Sequence, residues 1–150
     1  MSEICLDASV LLADAEILGV ALAQEAMAYD RLGKANFAAF ERISQLRLGA
    51  IRVPQSLGGA GGSVTDLTRL VIALAKGDPS VAQAMLPHFV FVERTRLMAT
   101  EQQQNTFLRQ VASGTPVGGA SAEMGGQYRG ELATSLVQHE HGYRLNGEKH

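Results

Sequence analysis

From Ser9 to Arg31 apolar residues return at alternating spacings of four and three, at Leu11, Ala15, Leu18, Leu22, Ala26 and Tyr29, with Val10, Ile17 and Ala21 beside them. A spacing that averages between three and four places these side chains on one side of a helix, so the pattern predicts a long helix with a broad buried face. Ala35 to Leu46 repeats it on a smaller scale, with Phe37, Phe40, Ile43 and Leu46 on one side and Gly49 and Pro54 ending the run. Ile51 to Val53 reads as a short extended piece.

Three further helices are announced by their ends. Ser63 precedes the apolar series Val64, Leu67, Leu70, Val71 and Leu74, and Asp66 stands where a capping box places its acid. Lys76-Gly77 closes that helix. Asp78-Pro79-Ser80 opens the next: Asp78 can accept hydrogen bonds from the free amides of the first turn, and a proline at the first position forfeits no helical bond. Met85, Leu86, Phe89, Val90, Val92 and Leu97 carry its apolar surface, while Pro87 predicts a break or kink near Met85. Thr100 caps a last helix through Phe107, Leu108 and Val111, ended by Ser113-Gly114.

After Pro116 the period changes. Gly118 to Glu123 is small and extended, Gly125-Gly126 is a loop, and Leu132 to Val137 is a candidate strand. Gly142 to Leu145 leads into Asn146-Gly147, a pair suited to a two-residue turn, followed by the start of a return strand at Glu148 to His150. Such a turn is useful only if more return strand follows, so the expectation is a frayed tail or the front of a longer protein. The fold class expected is mainly α, with helices over 1–114 and the opening of an incomplete β domain over 115–150.

At 150 residues and 46% hydrophobic content the chain can bury a core of domain size. Its net charge of −2 and its scattered arginines give no basic stripe, which argues against nucleic acid as a partner. A single cysteine, Cys5, excludes an intrachain disulfide framework and reads as an inert small residue. Asp7, Asp14, Glu16 and Glu25 interrupt the apolar stretch from Ile4 to Ala28 and no basic segment precedes it, which argues against a membrane span or a secretory signal. A cytoplasmic location is expected.

The glycines at 58, 59, 61 and 62 lack the Lys-Ser/Thr of a phosphate loop and the strand of a dinucleotide fingerprint, and read as a bend into the helix that Ser63 caps. His139-Glu140-His141 places two imidazoles on one face if it is strand, but no third ligand is evident, and a solvated loop is the better reading. His88, beside Pro87, stands at the expected helix interruption, a setting shared by ligand-facing and by plainly structural histidines. Ala120-Ser121-Ala122-Glu123 has side chains small enough for a flat ligand to approach the backbone; a tightly packed bend is the other reading. No nucleophile-base-acid arrangement can be assembled.

In order and spacing, several segments resemble the front of the acyl-CoA dehydrogenase superfamily of flavoproteins. They are Ile51-Arg52-Val53-Pro54 with Leu57-Gly58-Gly59, Ala75, Asp78-Pro79-Ser80-Val81-Ala82 with His88, Ala120 to Glu123, and Gly142-Tyr143-Arg144-Leu145-Asn146-Gly147-Glu148-Lys149. The resemblance implies a helical domain, a central β barrel and a C-terminal four-helix bundle, with a flavin, FMN or FAD, held in a homo-oligomer such as a homotetramer. It covers the first domain and the opening strands of the second, so the 150 residues alone are expected to be inactive. Where acyl-CoA dehydrogenases carry Thr-Glu-Pro and then Gly-Ser-Asp, this chain has Ala122-Glu123-Met124 and Gly125-Gly126, which replaces a flavin-bonding hydroxyl with a methyl. The stretch from Asp78 to Phe89 is similar to sulfur-acquisition oxidoreductases and dibenzothiophene-type monooxygenases, which use reduced flavin from a separate reductase to activate oxygen on a small sulfur or nitrogen compound. By that resemblance His88 is the candidate catalytic residue, and Ala120, Ser121, Ala122 and Glu123 face the flavin, mainly through backbone. The alternatives are an FAD-dependent acyl-CoA dehydrogenase and an inactive truncated helical interaction module.

Overall fold

The computed structural model describes residues 6–123 and 132–149, so the readings of Cys5, Met124, Gly125-Gly126 and His150 fall outside the described residues. Five helices come first: α1 (Ala8–Leu32), α2 (Phe37–Gln45), α3 (Val64–Gly77), α4 (Pro79–Met98) and α5 (Glu101–Ala112). Two strands follow, β1 (Ser135–His139) and β2 (Gly142–Asn146). The chain divides into a helical unit that runs to Gly118 and a second unit from Gly119 onward.

Each helix starts where a side chain accepts from its free amides. Asp7 accepts from the Ser9 N–H and Asn36 from that of Ala39, while Asp78 takes those of Ser80 and Val81 with Pro79 behind it. Ser63 with Asp66, and Thr100 with Gln103, form reciprocal capping boxes. Because these bonds close within three residues, the helix starts are local properties of the chain. Thr100→Ala is expected to lower stability by about 1 kcal/mol in urea unfolding, with Gln103 left to hold the Thr100 N–H alone.

The core gathers Leu11, Leu18 and Leu22 of α1, Ile43 of α2, Leu70 and Leu74 of α3, Val81, Met85 and Phe89 of α4, and Leu108 and Val111 of α5. The predicted stripe of α1 is buried at Leu11, Ala15, Leu18 and Leu22, but Val10 is 54% exposed and Ile17 70%, so the buried face is narrower than expected. Phe37, first residue of α2, is likewise exposed, and Ala39 and Ile43 carry that helix's burial. At Gly19 and Gly77 the backbones of α1 and α3 touch: a Cβ on Gly77 would meet Gly19 itself, and one on Gly19 would meet the Ala73 carbonyl.

Two expectations need correction here. Ile51 to Val53 is not extended: Ile51 has helical angles (φ −51°, ψ −38°) at the end of a short 3₁₀ turn, Leu48–Ala50. Both Ile51 and Val53 are fully buried, so their apolar character reports burial and not strand. Nor does Pro87 break the helix, since α4 runs without interruption from Pro79 to Met98. The proline removes one backbone bond, but Val81, Met85, Phe89 and Val92 stay buried along both sides of it, and that packing offsets the loss.

In the second unit β1 and β2 pair antiparallel, with Ser135 opposite Asn146 and His139 opposite Gly142. The reversal therefore lies at Glu140-His141, and Gly142 supplies the positive φ (140°) that the tight loop needs. Asn146-Gly147 continues beside Thr134, whose side chain lies where a Cβ on Gly147 would be.

Candidate functional site

His88 lies inside α4, 2% exposed, with both ring nitrogens engaged by backbone. Nε2 is 3.1 Å from the Gly49 carbonyl oxygen, and Nδ1 accepts from the Val117 N–H at 3.1 Å. A carbonyl can only accept and an amide N–H only donate, so these partners select the neutral ring protonated at Nε2. Burial pushes the His88 pKa below its ordinary value and outweighs the opposing effect of the Gly49 carbonyl. Gly49 must lack a side chain, since a Cβ there would strike the imidazole. Phe89 meets the ring edge to face at 5.4 Å. A cavity of about 20 Å³ adjoins Arg47, Met85 and His88, enough for one water. The expected helix interruption is absent, and His88 serves first to join α4 to Gly49 and to Val117. Proton transfer from this ring to a ligand requires release of one of those two backbone partners.

The Val117 bond is also why residues 115–118 stay with the helical unit. Ser44 donates its hydroxyl to the Gly114 carbonyl just upstream. The hydroxyl holds the end of α5 in place.

Ala120, Ser121 and Ala122 are exposed, lie outside any regular element, and leave their amides without a partner among the described residues. Ser121 accepts through its carbonyl from the Lys149 ammonium at 3.4 Å. Glu123 behaves differently. Its carboxylate accepts from the Ala133 N–H at 2.6 Å, from the Thr134 N–H at 3.2 Å and from the Lys149 ammonium. Lys149 is the largest cause, with Thr134 next, of a Glu123 pKa pulled down to about 2. A carboxylate with those partners is an anchor, with no basicity left for proton abstraction near neutral pH. Because the folded pKa lies below the unfolded one, its contribution is present above about pH 4.5 and is lost as pH falls toward about 2. Protection of the Ala133 and Thr134 amides, taken relative to the intrinsic exchange rate at each pH, is expected to fall over that window, and protection unchanged down to pH 2 would contradict the geometry.

His139 ends β1 and His141 stands in the turn, so the two do not share a strand face. The bend at residues 58–62 is held by backbone bonds from Gly61 and Gly62 to the Val53 and Ile51 carbonyls, and by the Arg52 guanidinium on the Gly62 carbonyl. Arg52 also pairs with Glu93, which Arg96 contacts from one helical turn away. An open groove of about 750 Å³, lined in part by Met27, Tyr29, Phe37, Asp78 and Ser80, runs along the helical unit.

Sequence reasoning missed two residues that organise these places, Gly49 and Lys149. Each acts on a partner far along the chain, so no local spacing signals it. The resemblance implies a flavin, and the residues present fit one. Its pyrimidine edge presents carbonyls and an imide N–H, which match the amides of Ala120 to Ala122, without a partner among the described residues, and the Ser121 hydroxyl.

Residues 15–115 match the family described as Acyl-CoA dehydrogenase, N-terminal domain. The chain is also similar to the "Probable acyl-CoA dehydrogenase YngJ" of Bacillus subtilis (strain 168). The two are 28% identical over 138 residues, which covers 85% of this chain and 34% of that protein. The chain thus spans about a third of the length of the curated relative it matches.

Proposed function

We propose, since the chain belongs to the acyl-CoA dehydrogenase N-terminal domain family, that it forms the N-terminal part of a flavin-dependent oxidoreductase. The observation that carries the reading is the exposed segment Ala120 to Ala122, whose small side chains, and amides without a partner among the described residues, suit the edge of a flat cofactor. When bound, the flavin supplies the electron transfer; the chain's own residues bind and orient it. Ser121 offers a hydroxyl and a backbone amide, Ala120 and Ala122 offer amides, and Glu123 keeps the segment in place. His88 contributes by fixing Gly49, α4 and the start of the connection at Val117.

Two chemistries share this frame. The methyl of Ala122 in place of a flavin-bonding hydroxyl, with Gly125-Gly126 in place of Gly-Ser-Asp, favours oxygenation of a small sulfur or nitrogen compound by molecular oxygen, with reduced flavin as the electron donor. That reading brings a flavin reductase as partner, a cytoplasmic setting and a homo-oligomer. The second reading is an FAD-dependent acyl-CoA dehydrogenase, the activity in the name of the Bacillus subtilis relative. Expression of the gene with any coding sequence after the His150 codon separates them. A yellow protein whose flavin is bleached anaerobically by an acyl-CoA is a dehydrogenase, and one bleached only by reduced flavin or a reductase belongs to the oxygenating branch. A protein that binds neither FMN nor FAD sinks both.

A further inference from the structure

The carboxylate of Glu123 and the ammonium of Lys149 meet at the base of the hairpin, and both are drawn in from solvent: Glu123's side chain is 7% exposed and Lys149's 22%. Three stretches of chain converge on them. Glu123 takes the amides of Ala133 and Thr134, just before β1, and Lys149, just after β2, reaches both Glu123 and the Ser121 carbonyl. Lys149 therefore holds the segment twice, once through a side chain and once through its backbone. The second contact lands between Ala120 and Ala122, whose amides have no partner among the described residues.

We propose that Lys149, acting through Glu123 and the Ser121 carbonyl, is a positioning residue that fixes the flavin-facing backbone of Ala120 to Ala122. This rests on the reading of that segment as a flavin site. Amides aligned before binding lose less freedom when the ligand arrives, so the ion pair raises affinity without touching the cofactor. The arrangement also explains why an acid sits at 123: its carboxylate accepts where Lys149 and two amides donate, which no apolar residue can do.

The test uses the protein expressed with any coding sequence after the His150 codon, titrated with FMN and with FAD by fluorescence quenching. Lys149→Gln is expected to raise the flavin Kd by about tenfold or more at unchanged stoichiometry, and Lys149→Arg to restore it. Loss of folded protein lowers stoichiometry instead, so the two effects are read separately. Glu123→Gln and the double substitution complete a cycle in which the double mutant is no weaker than the worse single. If Glu123→Gln does not fold, Lys149→Gln carries the test alone, because Glu123 there keeps both backbone donors. Amide exchange at Ala133 and Thr134 in the flavin-free protein is expected to speed up most in Glu123→Gln, whose side chain keeps a single acceptor oxygen, and less in Lys149→Gln. Variants that bind flavin as the unaltered protein does overturn the positioning role and leave the proposed function standing. An unaltered protein that binds no flavin overturns both.

Discussion

Replacing His88 with alanine is expected to remove about 3–5 kcal/mol from the unfolding free energy of the helical unit, a large share of what an ordinary domain has. The loss has two parts. Deleting a buried imidazole leaves a cavity that α4, with its neighbours Met85 and Phe89 in the core, cannot collapse without moving the core. The Gly49 carbonyl, in a fully buried turn, then has no donor, while the Val117 amide, half-buried, can recover part of its bond from water. His88→Phe separates the parts: it fills the volume and leaves both backbone groups unpaired, so a loss of about 2 kcal/mol is expected in urea unfolding. Equal stability of the alanine and phenylalanine variants would show that packing contributes nothing there.

The same residue sets a pH dependence. Burial holds the folded pKa of His88 below its ordinary value near 6.5, so the unfolded chain takes up a proton first as the pH falls. Stability is full above about pH 6.5 and declines below it toward the folded pKa. Protonation at Nδ1 would set one N–H against another at Val117, which steepens the cost of charging the folded state. The phenylalanine variant is expected to show a flatter stability profile between pH 7.5 and pH 5.5.

Gly77→Ala is expected to lower stability by about 2 kcal/mol and Tm by roughly 5–10 °C, although alanine is the better helix former by about 1 kcal/mol. Gly77 is a helical residue without a positive φ, so its conformational freedom is not what the site requires. The requirement is space. A Cβ on Gly77 meets the Gly19 backbone, and backbone cannot swing aside as a long side chain can. Relief demands that α1 and α3 separate, which loosens Leu11, Leu18, Leu22, Leu70 and Leu74 together. Gly19→Ala is expected to act similarly through the Ala73 carbonyl, and the double variant to cost less than the sum, because one separation of the helices relieves both contacts. Additive losses in thermal melts would mean that the two glycines act independently.

The five helices, and the starts of α3, α4 and α5, were legible because the interactions that set them are short in sequence. Asp78 reaches Ser80 and Val81, and Ser63 and Thr100 reach residues three ahead, so composition at the cap is enough. The core side of α1 was legible for the same reason, since its period is a property of the helix. Which apolar residues beyond that side are buried was not: Val10 and Ile17 differ from Leu11 and Leu18 only in what stands opposite. For the candidate site, residue types and order sufficed to single out His88 and Ala120 to Glu123, but not what holds them. The partners of His88 are 39 and 29 residues away, and the lysine partner of Glu123 is 26 away.

The sequence by itself thus determined the helical order, the caps and the small, polar stretch before the hairpin, since each depends on neighbours within one or two turns. Tertiary structure alone decided that Pro87 is carried through an unbroken α4, that His88 is neutral and doubly bonded, and that Glu123 is held by Lys149. In each of those cases the deciding group is distant along the chain, and only packing brings it within reach.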